Sequence, residues 1–200
     1  SHYEALDGSP FNALTFEQTE ALKEDLQRRG VGVPVYCGMR HWSPYVKDIM
    51  QEMAEAGLKE TLAIIMAPHQ CWVSWDWYQD TVQGGNDALG ERALAVTYSD
   101  PWWREPGFIQ ANAERSRDAF ARLGDRAAAA KLVFSAHSLP IGFCESCQSD
   151  KRQCPYSGQF EESARLVAEA LGRGSDYLLC YQSQAGLSGA WLGPDVNELI

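Results

Sequence analysis

Segments with a helical spacing of apolar residues alternate with short apolar runs along almost the whole chain. The short runs have the length and composition of buried parallel strands, and they are predicted at residues 31–37, 61–66, 93–98, 131–135 and 177–181. Strands and helices that alternate in this way are typical of an α/β fold, in which parallel strands are joined by right-handed crossovers and flanked by helices.

Helix start signals separate the predicted strands. Thr15 begins a first helix as part of a capping box, and Ser43 is predicted to cap a second helix with Pro44 at its first position. Further helices are predicted at residues 73–82, 108–123 and 158–171, with a last one beginning near Pro194. The alanine run at residues 127–130 is the predicted domain boundary.

Composition excludes several classes of function. The net charge of −10 argues against a nucleic-acid-binding protein, which needs basic residues to displace counterions. No apolar run approaches the ~20 residues that cross a bilayer. The first residues lack the basic and apolar regions of a signal peptide. We therefore predict a cytoplasmic protein with no transmembrane segment, while peripheral membrane contact stays open.

Polar side chains follow the predicted strands, at the edge where α/β sheets bind ligands. In chain order these strand ends are Gly38-Met39-Arg40-His41-Trp42, Ala67-Pro68-His69-Gln70, Tyr98-Ser99-Asp100, Ala136-His137-Ser138 and Gln182-Ser183-Gln184. A single strand-end histidine is usually a structural hydrogen-bonding residue. Three of them with an arginine favour a site that moves protons or binds a metal.

Six cysteines without an export signal point away from a disulfide framework. Cys144, Cys147 and Cys154 form a C-x2-C-x6-C pattern in a polar loop, and a C-x2-C pair suits zinc or an iron–sulfur cluster. The alternative is a set of free thiols in a surface loop, which would be open to oxidation. The candidates for a fourth ligand are Cys37, Cys71, Cys180 and a cysteine beyond residue 200.

Six motifs resemble the ferrochelatase family, in its order and at its spacing, from about residue 8 to 200. They are Ser9-Pro10-Phe11-Asn12, Gly38-Met39-Arg40-His41-Trp42-Ser43-Pro44-Tyr45, Ala67-Pro68-His69, Glu105-Pro106-Gly107-Phe108-Ile109, Phe134-Ser135-Ala136-His137-Ser138-Leu139-Pro140, and Tyr181-Gln182-Ser183 with Trp191-Leu192-Gly193-Pro194-Asp195-Val196. Each motif alone is weakly specific, and their order makes the resemblance strong. It implies a lyase of haem biosynthesis that inserts ferrous iron into a porphyrin, either protoporphyrin IX or coproporphyrin III.

The resemblance also implies an architecture of two Rossmann-like, chelatase-type halves with a porphyrin cleft between them. The halves are expected at residues 1–126 and 127–200. The family's first strand is expected before residue 1 and an acidic segment after residue 200, so we expect a fragment that lacks both termini. That acidic segment carries the glutamate that partners His137 in the family, which puts the activity of the isolated chain in doubt.

The resemblance assigns roles to single residues. It makes His137 the base that accepts pyrrole protons, or the group that hands over ferrous iron, which is a substrate. Arg40 suits a porphyrin propionate because its planar guanidinium matches a carboxylate. The positions expected to bind the porphyrin are Met39, Arg40, His41, Gln182 and Ser183.

The cysteine segment departs from the family's commonest pattern, since Cys154 stands where aspartate is expected. Some bacterial ferrochelatases carry a [2Fe-2S] cluster, although often with its cysteines placed elsewhere, so a cluster or zinc on Cys144, Cys147 and Cys154 is an expectation beside that of free thiols. Two other functions stay open from the sequence. One is a chelatase that loads cobalt or nickel into another tetrapyrrole, and the other is a non-catalytic haem- or metal-binding module.

Overall fold

A computed structural model describes residues 8–141, 154–184 and 189–199 of the chain. Its α-helices are α1 (Phe11–Arg28), α2 (Val46–Glu55), α3 (Trp77–Asp87), α4 (Pro106–Leu123), α5 (Tyr156–Ala170) and α6 (Val196–Leu199). Its strands are β1 (Glu60–Ala63), β2 (Ala95–Tyr98), β3 (Val133–His137) and β4 (Leu178–Gln182). Within these described ranges, no helix is long and apolar enough to cross a lipid bilayer.

The described backbone forms two compact units. Unit 1 falls within Ser1–Thr61 and Gln79–Val96, and unit 2 falls within Leu62–Tyr78 and Thr97–Ile200. Strands β1 and β2 pair in one sheet, while β3 and β4 pair in another. The domain division predicted between residues 126 and 127 stays a prediction.

The core of unit 1 is built on one face of α2. Val46, Met50 and Met53 are buried, and their spacing of three and four residues places them on the same face of the helix. They pack with Leu89 and Leu94 into a single cluster. Helix α3 approaches this face closely at Gly85, where an added Cβ would lie 3.0 Å from the Met50 Sδ atom. A larger residue at position 85 would therefore force the flexible Met50 side chain to shift.

Unit 2 is built on a pair of parallel strands. The residue partners of β3 and β4 run from Val133 opposite Leu178 to His137 opposite Gln182. Helix α4 packs against α5 through a cluster of buried apolar residues, namely Ile109, Ala113 and Val167. Both strands end at the same edge of the sheet, so their last residues lie side by side.

The predicted fold class is confirmed, since helices flank small sheets and β3 runs parallel to β4. The strand predicted at residues 31–37 is wrong, because none of these residues is in a strand. An apolar run of this kind becomes a strand only when another strand pairs with it. The described residues supply no such partner for this run.

The predicted start of α2 is also wrong by a few residues. The helix begins at Val46, after Tyr45 with an extended backbone, and Ser43 does not cap it. The amide of Met39 donates to the carbonyl of Pro44 at 2.8 Å, and the amide of Val46 donates to the carbonyl of Met39 at 3.1 Å. These two bonds fold the segment into a loop and keep Pro44 out of the helix.

Candidate active site

The end of the β3–β4 sheet brings together three of the predicted site residues. His137 is the last residue of β3, and Gln182 is its partner at the end of β4. Ser183 follows with a φ of 63°, in the left-handed region that residues other than glycine rarely adopt. Backbone strain of this kind is common where a fold fixes the geometry of a binding or catalytic site.

His137 is exposed, and its imidazole is hydrogen-bonded to the main chain. Its Nδ1 atom lies 2.7 Å from the main-chain oxygen of Ser138. A carbonyl oxygen only accepts, so we infer that Nδ1 carries the hydrogen and donates it. In the neutral ring the other nitrogen, Nε2, then holds a lone pair that can take up a proton or bind a metal ion.

The peptide group between His137 and Ser138 is held at both of its polar ends. Its N–H, which belongs to Ser138, donates to the Gln182 carbonyl at 2.7 Å. Its oxygen, which belongs to His137, accepts a hydrogen bond from the Tyr156 hydroxyl at 3.1 Å. The fully buried Ser138 side chain donates to the Leu192 carbonyl at 2.7 Å. The backbone that orients the imidazole is therefore fixed from three directions.

His69 also follows a strand in unit 2, but its surroundings differ. Three aromatic rings meet the imidazole edge-on at centroid distances of 6.0 to 6.4 Å, namely Phe108, Tyr156 and Phe160. Burial lowers the pKa of His69 from its ordinary value of 6.5 to about 4, because an apolar environment disfavours the charged ring. The imidazole of His69 is therefore neutral at pH 7.

The Ser163 hydroxyl determines which nitrogen of His69 carries the hydrogen. It lies 2.9 Å from the Nε2 atom of His69, 2.7 Å from the Trp103 carbonyl and 3.0 Å from the Gln159 carbonyl. A hydroxyl has one hydrogen, which goes to one of these carbonyl oxygens, so its oxygen accepts from His69. We infer that Nε2 of His69 carries the hydrogen, the reverse of the arrangement in His137.

The other predicted porphyrin-binding residues lie in unit 1. Met39 is buried, Arg40 is half-buried and His41 is exposed. A cavity of about 300 Å³ is lined by Met39, Arg40, Tyr45, Val46, Lys47, Thr81, Gly84, Gly85 and Ala88. Its volume is at the lower end of the range of about 300 to 1,000 Å³ that is usual for small-molecule pockets.

Comparison with known proteins assigns the chain to a family. The family model described as Ferrochelatase matches residues 1–200. The chain belongs to the ferrochelatase family. It is 34% identical over 201 residues to the ferrochelatase of Rhodopirellula baltica, an alignment that covers 100% of this chain and 55% of that protein.

Two further ferrochelatases are similar to the same extent. The coproporphyrin III ferrochelatase of Anoxybacillus flavithermus is 35% identical, with 98% of this chain and 61% of that protein covered. The ferrochelatase of Deinococcus radiodurans is 33% identical, with 99% and 61% covered. The chain thus spans less than two thirds of the length of these relatives.

The predicted cysteine site is described only in part. Cys144 and Cys147 lie outside the described residues, while Cys154 is half-buried in unit 2. Burial raises the pKa of the Cys71 thiol and the charge of Cys154 adds to that rise, while hydrogen bonds from Ser74 oppose it. Residues 8–141, 154–184 and 189–199 contain no group of three or more His, Cys, Asp or Glu side chains that could hold a metal ion.

Several contacts at the candidate site had no sequence prediction. The Tyr156 hydroxyl donates a hydrogen bond to the His137 carbonyl across 19 residues of sequence. The sequence feature that could have indicated this contact is the place of Tyr156 at the start of the helix that follows β3. Gln159 accepts from the Gln70 amide at 2.7 Å and donates to the Gln70 side chain at 3.0 Å. That pair is separated by 89 residues, and no local pattern predicts such a contact.

Proposed function

We propose that the full-length protein inserts ferrous iron into a porphyrin and that His137 accepts the pyrrole protons. The observation that carries this proposal is the exposed imidazole, whose Nδ1 is engaged by the Ser138 carbonyl while Nε2 keeps its lone pair. The family match and the names of the relatives, ferrochelatase and coproporphyrin III ferrochelatase, support the substrate class.

The reaction exchanges two pyrrole hydrogens for one Fe(II) ion, so two protons must leave the ring. Nε2 of His137 accepts one of them, and the imidazolium that forms still donates through Nδ1 to the Ser138 carbonyl. Proton uptake therefore requires no rotation of the ring. Solvent reaches the exposed imidazole, takes the proton away and restores the base for the second transfer.

The same lone pair is able to bind Fe(II), because imidazole is a good ligand for borderline metals. One lone pair serves one partner at a time. Acceptance of a proton and coordination of the metal are therefore successive events at Nε2, not simultaneous ones. We assign the proton-accepting role to the insertion step itself.

We further propose that Arg40 binds a propionate of the porphyrin. It is half-buried and lines the unit 1 cavity together with Lys47, so two cationic side chains face one small cavity. A guanidinium binds a carboxylate through two parallel hydrogen bonds, which fixes the direction of the ligand as well as its charge. Met39 and His41, and Gln182 and Ser183 of unit 2, are proposed to bind the porphyrin as the family resemblance implies.

The resident cofactor that we propose is a [2Fe-2S] cluster, or zinc, held by Cys144, Cys147, Cys154 and Cys71. Cys71 is chosen as the fourth ligand because it belongs to the same unit as Cys154 and the charges of the two thiols interact. Cys180 is fully buried, and its Sγ donates to the Phe134 carbonyl at 3.5 Å. Cys71 and Cys154 would supply two of the four thiolates, and a bound metal would hold them deprotonated. Its contribution would be to stabilise the fold around the start of α5.

The decisive experiment is an insertion assay on the full-length protein with several metal and tetrapyrrole pairs. We expect turnover with Fe(II) and protoporphyrin IX or coproporphyrin III, and none with His137→Ala at unchanged porphyrin affinity. Cobalt with sirohydrochlorin as the productive pair would replace the proposal with a different chelatase. Porphyrin binding without any turnover would indicate a non-catalytic module.

The cofactor has a separate test. Protein purified without oxygen should show visible absorbance of a cluster, or bound zinc by metal analysis, and Cys71→Ser should lower the metal content. The matched control is Cys180→Ser, which removes a thiol from the same unit and should leave the metal content unchanged. Metal-free wild-type protein would end the cofactor proposal and leave the insertion proposal intact.

A further inference from the structure

We propose that Tyr156 is a positioning residue for His137, acting through the main chain and not through contact with the substrate. The inference rests on the proposed role of His137 as the base. Its starting point is the hydrogen bond of 3.1 Å from the Tyr156 hydroxyl to the His137 carbonyl.

The orientation of the imidazole depends on one peptide plane. Nδ1 donates to the carbonyl of Ser138, which directly follows the peptide between His137 and Ser138. If that peptide rotates, the acceptor moves with it. The N–H end of the plane is bonded to Gln182 and the oxygen end is bonded to Tyr156, so loss of either bond frees one end.

The Gln182 bond is part of the sheet, whereas the Tyr156 bond comes from a side chain. No substitution removes the main-chain oxygen of Gln182, because every residue supplies one. Removal of the Tyr156 hydroxyl deletes a single oxygen atom. Water also reaches this exposed bond, so we expect its loss to affect the orientation of the peptide more than the stability of the fold.

Tyr156 is well placed to fix the orientation of the peptide between His137 and Ser138, because its own position is fixed by neighbouring contacts. It is the first residue of α5, and its ring meets the His69 ring edge-on at a centroid distance of 6.1 Å. One turn further along, the Gln159 side chain bonds to both the amide and the side chain of Gln70. Ser163, another turn on, accepts from His69. The phenol is therefore supported by contacts with the segment that follows β1.

The test compares Tyr156→Phe with Tyr177→Phe in the full-length protein. Tyr177 is a matched control because it lies in the same unit, next to the opposite end of the β3–β4 pair, with its ring against Phe134. We expect Tyr156→Phe to lower kcat by roughly 3- to 10-fold, the effect of one hydrogen bond, with KM for porphyrin unchanged. The control should keep the wild-type kcat.

A second measurement reports orientation directly and does not depend on turnover. In protein with ¹⁵N-labelled histidine, the ring nitrogen shifts give the share of each neutral tautomer, and the His137 signals are those lost in His137→Ala. We expect wild-type His137 to carry its hydrogen on Nδ1 and Tyr156→Phe to show a larger share on Nε2. Tyr177→Phe should match the wild type.

The outcomes separate this inference from the proposed function. Wild-type tautomer shares in Tyr156→Phe would overturn the positioning role, whatever the activity. Altered shares with an unchanged kcat would support the positioning role and remove His137 as the base. An equal loss of kcat in Tyr177→Phe would show a general effect on the fold and overturn the inference.

Discussion

His69 and His137 follow strands in the same unit, yet their surroundings give them opposite properties. His69 lies among three aromatic rings with its Nε2 hydrogen bonded to Ser163, and burial lowers its pKa to about 4. His137 is exposed and donates from Nδ1 to a main-chain oxygen, which leaves the lone pair of the neutral ring on Nε2. Nε2 therefore carries the hydrogen in His69 and the lone pair in His137.

The difference shows why a histidine at a strand end is not by itself evidence of catalysis. An imidazole that is to accept a proton needs access to solvent or substrate and a partner for its other nitrogen. His137 has both. His69 has a partner but sits where a positive charge is unfavourable, so it holds the segment after β1 to helix α5. The variants below test this division of roles.

The largest expected effect is on turnover. His137→Ala in the full-length protein should lower kcat by roughly 10²- to 10⁴-fold, the usual contribution of a general base, while porphyrin affinity changes little. His69→Gln should change kcat by no more than about the effect of one hydrogen bond, roughly 10-fold. Steady-state kinetics and porphyrin titration measure both. A loss in His69→Gln as large as that in His137→Ala would contradict the division of roles.

For the free energy of unfolding, we expect the larger loss from the variant at His69 and the smaller one from the variant at His137. His69→Ala should lower the free energy of unfolding by about 2 to 4 kcal/mol, because it leaves a cavity among aromatic rings and removes the donor to Ser163. His137→Ala removes an exposed side chain and should change it by less than about 1 kcal/mol. Urea unfolding of both variants gives the comparison. Equal losses would mean that His137 is part of the core.

The pH dependence of stability follows from the lowered pKa of His69. Between its ordinary value of 6.5 and about 4, the unfolded chain binds a proton at this residue and the folded chain does not. The stabilisation is therefore complete above pH 6.5 and is lost as the pH falls towards 4. The slope is at most ~1.4 kcal/mol per pH unit, and smaller because solvent reaches part of the ring.

His69→Gln should be free of this contribution, since glutamine does not titrate. Unfolding free energies of the variant and the wild type, measured between pH 4 and 7, should therefore converge at the acidic end. Parallel curves over the whole range would show that His69 titrates normally in the folded protein.

The smallest expected effect concerns the hydroxyl that accepts from His69. Ser163→Ala should cost about 1 to 2 kcal/mol, because it leaves the buried Nε2 hydrogen of His69 without an acceptor. Ser157→Ala, in the same helix, is the control and should be neutral or slightly stabilising, since alanine favours helix. Thermal unfolding measures the pair. A neutral Ser163→Ala would indicate that His69 needs no polar partner.

Local sequence patterns predicted most of the helices and strands because the spacing and type of neighbouring residues largely determine them. The helical spacing at residues 108–123 corresponds to α4, and the apolar run at 177–181 corresponds to β4. The run at 31–37 has the same character as β4 but is not a strand. A strand is defined by its partner, and the composition of a segment carries no information about which partner is present.

The candidate site divides in a similar way. The adjacency of His137 and Gln182 followed from the rule that parallel strands end at one edge of a sheet, and the strand register confirms it. The tautomer of His69 did not follow, because it depends on Ser163, which is 94 residues away in sequence, and the bond from Tyr156 to the His137 main chain spans 19 residues. Contacts between residues so far apart in sequence form only when the chain folds, so no local pattern predicts them.

The acceptor for the Nδ1 hydrogen of His137 belongs to the main chain, so it does not depend on which side chain stands at that position. Any replacement of Ser138 would lose the hydroxyl bond to Leu192 but would still present an oxygen to Nδ1. The acceptor of the Nδ1 hydrogen is therefore kept whatever side chain stands at position 138, while the placement of that acceptor also depends on the hydrogen bond from Tyr156. Sequences that differ widely can present the same acceptor as long as a histidine ends that strand and the backbone keeps its path.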